Sequence, residues 1–484
     1  MKDSKDAKGL TVKKDHNFSE WYTQIIQKAE LADLRYNVKG FLVFQPWSVL
    51  CMEKIYAHFE RVLQHKGHQP YFFPTLIPEG NLKKESGHIK GFTPEVFWTT
   101  HGGNKQFEEK LALRPTSETA FYHMFNLWVR SYKELPLKTY QRANVFRYDT
   151  KATRPFLRSR EFHWIETHCV FTTEDGAFTQ VHEDMATSKE VIHDILGLPF
   201  MLFERPSWDT FPGATRTFAA DVMNPDGKVV QQPSTHMISQ EFSKAFDVKF
   251  ADEKGKEQYA HMTCYGPAIS RIFASVVIVH GDDKGLRFPW AVAPKHVAIV
   301  PIGLDNDLVK KAEMLAEKIG SFADVIIDLD PNKTPGEKFH YWELKGVPVR
   351  IDLGHKELKT KKLSVFRRDT NKKEVILEKD LMTYLENVKK ESGKHLMNEA
   401  DLLFEGKIKN AKNNDQVKKI LDDGGIARCS FCSIKERGEP CAGIVEKTLS
   451  AEVRGTLLKE TNKPTVCVIC GEKAAVIVYI ARAY

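Results

Sequence analysis

The apolar positions of this chain change period along its length, and the change predicts its elements. Phe121, Met124, Phe125 and Trp128 recur at three- and four-residue spacing, which predicts a helix. The stretch before them, LALRPTSET (111–119), carries helix-start chemistry. Pro115 cannot continue a ladder, Thr116 or Ser117 can cap, and Glu118 suits the positive end of a helix dipole. Residues 137–148, LKTYQRANVFRY, read instead as a strand with Gln141, Ala143, Val145 and Arg147 on one face. After a loop, DTKATRP, a second strand is predicted over 156–171. Its even positions are Phe156, Arg158, Arg160, Phe162, Trp164, Glu166, His168 and Val170. A core-facing surface would be apolar, and a solvated one rarely holds both Phe and Trp. Guanidinium forks meet phosphate oxygens and an aromatic ring stacks on a base, so this mixed face suits a polyanion carrying a flat ring. The alternative is an edge strand with surface ion pairs.

On a larger scale the pattern divides into three blocks. Up to about residue 290, strands follow one another without crossover helices, which favours an antiparallel sheet. A second block opens with HVAIVPI after the linker APKHV, then alternates helix patterns with ADVIIDL and VPVRIDL. That alternation predicts a small α/β domain with a largely parallel sheet. The third block begins with a polar stretch and ends in the apolar strand AAVIVYIARAY. The expected organisation is a disordered N-terminus over 1–16, then domains over 17–292, 293–392 and 393–484.

Composition changes this picture in two places. A net charge of +7 over 484 residues permits a nucleic-acid partner without requiring one. Basic clusters such as LKTKKLSVFRR (358–368) matter more than the total. The N-terminus has no apolar signal segment and no run long enough for a membrane span, so a cytoplasmic protein is expected. Cys429, Cys432, Cys441, Cys467 and Cys470 crowd the C-terminal block, and without a secretion signal they read as metal ligands. By spacing alone, CSFC (429–432) with CVIC (467–470) makes a four-thiolate site.

Three stretches, FRYD–loop–RSREF (146–162), SRIFASVVIVHGDDKGLRFP (270–289) and HKGHQPYFFPTLIPE (65–79), resemble the second, third and first signature motifs of class II aminoacyl-tRNA synthetases. LRPTSE, TRPFLRSREFHWIETH, FPGA, TPGEKFHYWELKGVPVRI and the terminal Tyr484 resemble prolyl-tRNA synthetases of the archaeal/eukaryotic type, without an inserted editing domain. The resemblance implies an α/β multidomain fold: a class II antiparallel sheet with helices, an α/β anticodon-binding domain, and a small zinc-binding α+β C-terminal domain. It also implies a homodimer that joins proline to tRNA(Pro) with ATP, Mg²⁺ and a structural Zn²⁺. Alanine or cysteine would then be misactivated, since an apolar pocket rejects smaller side chains weakly.

Residue roles follow from the same resemblance. Arg147 is expected on the α-phosphate and the amino-acid carboxylate, Arg158 on the distal phosphates, and Phe162 on adenine. Arg271 is expected on the γ-phosphate or over the adenine. Asp149, where the family usually has glutamate, would meet the adenine amino group. Glu118 and Thr116 would hold the proline imino group. Phe92, Trp164, Phe211 and His236 would wall the pyrrolidine ring, with Glu166 orienting the pocket and Gln231 and Ser234 touching ATP and substrate. Glu343, Lys356, Glu357, Arg368 and Lys372 match positions linked to the anticodon guanines. For zinc the resemblance favours Cys432, Cys441, Cys467 and Cys470, with Cys429 as the alternative to Cys441. Tyr484 is expected to fold its carboxylate back toward the active site.

Overall fold

The computed structural model describes residues 9–88, 95–148 and 153–484, without the side chains of 85–88. Phe92 and Asp149 therefore lie outside the described residues. The six strands that carry the site pair antiparallel throughout. Their order is Leu137–Phe146, Glu161–Phe171, His261–Gly266, Lys228–Ser239, Arg216–Met223 and Met201–Glu204. The helix Ile269–His280, ISRIFASVVIVH, is apolar almost all round and accordingly buried almost all round. It lies between the sheet and the helix Pro46–His65, with Ile55, Phe59, Phe156, Ile165, Ile272 and Phe273 in one core.

The second predicted strand is shorter than its pattern suggested. It begins at Glu161, and residues 153–160 form a compact loop. Pro155 has no N–H to donate, and Phe156 takes a positive φ of 60° to bury its ring between Phe44 and Phe273. Arg154 and Arg158 close the loop through paired backbone hydrogen bonds of 2.7 and 2.8 Å. Arg158 thus approaches from a loop, and the Arg160 guanidinium lies 4.6 Å from the Tyr148 ring.

Within residues 9–16, Gly9, Leu10, Val12 and Lys14 are half-buried, while Thr11, Lys13, Asp15 and His16 are exposed. Leu10 and Val12 lie against the main core. The Lys14 ammonium donates to Gly281 O at 2.6 Å, at the negative end of the Ile269–His280 helix.

The middle unit carries five strands in the order Val325–Ile327, Val297–Pro301, Val349–Leu353, Lys362–Arg367 and Lys372–Leu377. The first two pairings are parallel and the last two antiparallel, so the expected parallel sheet is half of a mixed one. The cause is the connection: a six-residue helix, His355–Thr360, is too short for a parallel crossover. The helix Leu381–Glu405 runs unbroken through the expected boundary at 392/393.

The C-terminal unit extends the main sheet. Its strand Glu452–Leu457 pairs with Met201–Glu204, and Val476–Ala483 pairs in parallel with Lys228 and Val229. Gly455 permits the first junction: with φ +124°, a Cβ there would fall 2.1 Å from Glu204 O.

Candidate functional site

The LRPTSE stretch turns from the strand Lys105–Leu113 into the helix Glu118–Trp128, as its pattern predicts. Arg114 fixes the turn from below, donating to Asn144 O and Phe73 O at 2.8 Å each. Ser117 is the N-cap residue, yet its side chain does not cap. Its hydroxyl donates to Glu166, as does the Gln141 amide at 2.7 Å, and its backbone N–H lies 3.2 Å from the same carboxylate. The Thr116 hydroxyl donates to Glu118. Both hydroxyls therefore serve carboxylates rather than the helix end.

Glu166 is fully enclosed. Burial pushes its carboxyl up, but His168 at 3.2 Å, Ser117 and Gln141 outweigh burial and hold it below its ordinary value. Gln141 stands opposite Glu166 in the strand register, as Ala143 does Trp164 and Val145 does Phe162. The predicted alternation thus delivers Phe162, Trp164, Glu166 and His168 to one cavity.

That cavity measures about 370 Å³ and brings together most of the expected residues. Glu118, buried to 3 %, and Thr116 line it beside Trp164 and Glu166. Phe211 and His236 form the opposite wall, with ring centroids 4.7 Å apart. His236 is fixed by the hydroxyls of Thr217 and Ser234, each at 2.9 Å from a ring nitrogen. Burial, and then the charge of Arg205, pull its pKa down to about 3, so the imidazole is neutral.

A second cavity of about 530 Å³ opens from the first, sharing Arg147, Phe162, Gln231 and Arg271. Arg154, Arg158, Lys228 and Arg454 add positive charge along it, and Tyr484 lies at its rim. The Arg147 guanidinium sits 5.3 Å from the Phe162 ring and 5.9 Å from the Trp164 ring. Arg271 donates to Gln231 O at 3.0 Å and Leu157 O at 3.3 Å. Burial, with Arg147 and Arg158 nearby, pulls its pKa down to about 10. Crowded cations of this kind favour an anion between them. One end of the joined space sets the rings of Trp164 and Phe211 beside the carboxylates of Glu118 and Glu166, the other is polycationic, and Arg147 and Arg271 line both.

Asp221, Arg205 and Arg454 escaped the sequence reading. Asp221 is buried between Arg205 and Arg454, with hydrogen bonds of 2.6 Å to Arg205 and 2.7 Å to Arg454. Arg205 also reaches Gln231 Oε1 at 3.3 Å, so the C-terminal unit is tied to the wall of both cavities. Tyr484 places its ring beside the guanidinium of Arg154 and the ammonium of Lys228, and its hydroxyl donates to Asp226.

The expected anticodon set is divided by the structure. Lys356 and Lys372 are exposed. Glu357 accepts from Gly354 N at 3.0 Å, and Glu343 accepts from Arg350 at 2.8 Å. Arg368 is buried, with 1 % exposure, and pairs with Asp282 of the catalytic unit. It joins two domains and is shielded from solvent by that pairing.

The thiols of Cys432, Cys441, Cys467 and Cys470 lie within 4.8 Å of one another. Cys432 follows the strand Ile426–Phe431, Cys441 enters from the helix Glu439–Leu449, and Cys467 and Cys470 close a tight turn. Cys429 is buried within the strand and stands outside this group. Four thiols in this arrangement fit a closed tetrahedral zinc site.

Comparison with known proteins bears on the whole length. Residues 97–280 match the tRNA synthetase class II core domain (G, H, P, S and T), 296–388 the anticodon binding domain, and 414–484 the C-terminal domain of prolyl-tRNA synthetase. The chain is 45 % identical to the proline–tRNA ligase of Thermofilum pendens, over 98 % of this chain and 99 % of that one. It is 40 % identical to that of Methanopyrus kandleri, over 96 % of each. A Giardia lamblia prolyl-tRNA synthetase in complex with prolyl-adenylate superposes with a TM-score of 0.93 at 36 % identity, covering 98 % of this chain and 100 % of that one. The Cryptosporidium parvum enzyme complexed with halofuginone and AMPPNP gives 0.92 at 29 % identity, over 100 % and 99 %. The chain belongs to the prolyl-tRNA synthetase family.

Proposed function

We propose that this chain is a proline–tRNA ligase whose joined cavities hold proline at the Glu118 end and ATP at the cationic end. In the first step a proline carboxylate oxygen attacks the α-phosphorus of ATP. The bond to the β-phosphate oxygen breaks, pyrophosphate leaves, and prolyl-adenylate remains. In the second step the terminal ribose hydroxyl of tRNA(Pro) attacks the prolyl carbonyl and AMP leaves. Neither step needs a side-chain nucleophile, so positioning and charge stabilisation carry the catalysis.

Glu118, supported by Thr116, neutralises the imino cation. Trp164, Phe211 and His236 wall the ring, and a neutral imidazole adds no charge to repel that cation. Glu166 braces Ser117 and Gln141 beneath them. Arg147 meets the proline carboxylate and the α-phosphate, where negative charge develops in the transition state. Arg158 and Arg271 take the outer phosphates, with Phe162 against the adenine and Gln231 and Ser234 along the nucleotide. Mg²⁺ would arrive with the phosphates. In the C-terminal unit, Cys432, Cys441, Cys467 and Cys470 would hold a structural zinc ion.

Lys356 and Lys372 are suited to guanine edges or phosphate of the anticodon. Assembly as a cytoplasmic homodimer belongs to the same reading. Among the described residues no helix is long and apolar enough to cross a membrane. The observation that carries the assignment is the buried Glu118 carboxylate beside the rings of Trp164 and Phe211 in a cavity that meets the cationic one at Arg147 and Arg271. The test is charging of unmodified tRNA(Pro) with each of proline, threonine and lysine. Proline alone is expected to yield aminoacyl-tRNA, and equal charging by another amino acid overturns the assignment.

A further inference from the structure

The floor of the smaller cavity holds three side chains whose chemistry exceeds what amino-acid binding needs. Cys264 and His168 stand directly opposite each other across the antiparallel pair Glu161–Phe171 and His261–Gly266, so they share one face of the sheet. Glu118 comes down on them from the first turn of its helix. One ligand atom from each of the three lies within 4.8 Å of the others, and all three residues are buried. All three also line the proposed proline cavity.

We propose that Glu118, His168 and Cys264 form a second metal site, selective for a thiophilic divalent cation such as Zn²⁺ or Cd²⁺, whose occupation excludes proline. Thiolate, imidazole and carboxylate are the three donor types zinc takes at sites that keep a fourth position open. Bond lengths of about 2.0–2.3 Å put tetrahedral donors about 3.3–3.8 Å apart, so ligand atoms within 4.8 Å of one another need draw together by at most about 1.5 Å. On binding, the Cys264 thiol releases its proton to solvent, so two anionic donors neutralise the dication. The His168 ring is already held in place: Glu166 sits 3.2 Å from Nε2, the Tyr122 hydroxyl 3.4 Å from Nδ1, and the Phe121 ring 4.3 Å from the imidazole. Metal binding exchanges one of the two nitrogen contacts for a bond to the ion, and the other then orients the ligand ring. A hard cation such as Mg²⁺ prefers oxygen donors and is not expected here. The exclusion of proline rests on the reading of Glu118 given above. A carboxylate bonded to a metal cannot also neutralise an imino cation.

The test uses the full-length protein with Zn²⁺ as the probe. Equilibrium dialysis is expected to give two zinc ions per chain in the wild type. Cys264→Ala is expected to retain one, at the four-cysteine group. Only one ion in the wild type, or two in Cys264→Ala, would overturn the site. Should that variant fail to fold, Cd²⁺ titration of the wild type supplies a second measurement. A thiolate-to-cadmium absorbance beyond the first equivalent, with four thiolates already committed, is expected; its absence would overturn the site equally. In proline-dependent pyrophosphate exchange, Zn²⁺ near saturation should raise the apparent KM for proline at least tenfold with kcat unchanged. Each variant is compared with its own zinc-free rate. A second equivalent that inhibits without competing with proline would uphold the metal site and overturn the role given to Glu118.

Discussion

The guanidinium of Arg368 closes on both carboxylate oxygens of Asp282, at 2.5 and 2.8 Å, and so fastens the anticodon-binding unit to the loop after the Ile269–His280 helix. Asn371 adds a third contact to the same carboxylate at 3.2 Å. Burial opposes ionisation of Asp282, but Arg368 prevails and holds the carboxyl at about 2. Breaking such a pair by removing one partner strands a charge. Arg368→Met is therefore expected to lower stability by about 3 kcal/mol, read as a reduced urea midpoint. An unchanged midpoint with weakened tRNA binding would return Arg368 to the anticodon surface.

A comparable pairing holds the C-terminal unit to the catalytic sheet. Asp221 neutralises Arg205 and Arg454 together, and Arg205 touches Gln231. Asp221→Ala leaves two buried guanidinium groups without their shared anion, at a cost of about 3–5 kcal/mol. Arg205 borders only the smaller cavity, Arg454 only the cationic one and Gln231 both, so the KM for proline should rise through Arg205 and that for ATP through Arg454. Steady-state exchange kinetics with each substrate varied in turn would show both.

The strand alternation from Phe162 to His168 was legible because a single local rule, period two, governs it. The helix start at Glu118 was legible for the same reason. What the pattern missed depended on contacts between distant segments. Asp221 and Arg454 are 233 residues apart in the chain, and no local spacing relates them. Arg368 sits in a basic run that looks like a nucleic-acid surface, yet its partner lies 86 residues earlier. The extended pattern over 156–160 failed because Phe156 gains more by entering the core at positive φ than by continuing the strand. Cys429 and Cys441 could not be separated by spacing, since the choice depends on whether the helix Glu439–Leu449 carries Cys441 to the other three thiols.

Elemental analysis of metal-washed protein should therefore find one tightly held zinc per chain. Cys441→Ser is expected to lose it and to unfold at lower temperature, whereas Cys429→Ser keeps it. The reverse pattern would restore the ligand set that spacing alone suggests.

Acid should destabilise the fold through buried imidazoles. His280 donates to Leu196 O at 2.8 Å, and burial pulls its pKa from 6.5 down to about 4. Below pH 6.5 the unfolded chain binds a proton that the folded chain does not. This group's contribution is thus complete above pH 6.5 and falls by about 1.4 kcal/mol per pH unit until about pH 4. Urea unfolding from pH 7 to 4.5 should show a slope shallower by about one proton in His280→Asn.

The apolar walls around Glu118 discriminate by size only weakly. Each missing methylene costs about 1–3 kcal/mol, so alanine should support exchange two or more orders of magnitude less efficiently than proline, at a rate still measurable with concentrated enzyme. No detectable alanine-dependent exchange would mean that the pocket rejects it by some other device.

In the proposed mechanism Arg147 stands where the proline carboxylate meets the α-phosphate. Proline-dependent ATP–pyrophosphate exchange by wild type and Arg147→Ala measures this most directly. The wild type is expected to exchange with proline, and the variant to lose at least a hundredfold in kcat, a transition-state loss of about 2.7 kcal/mol or more. Exchange by Arg147→Ala at the wild-type rate would contradict the account.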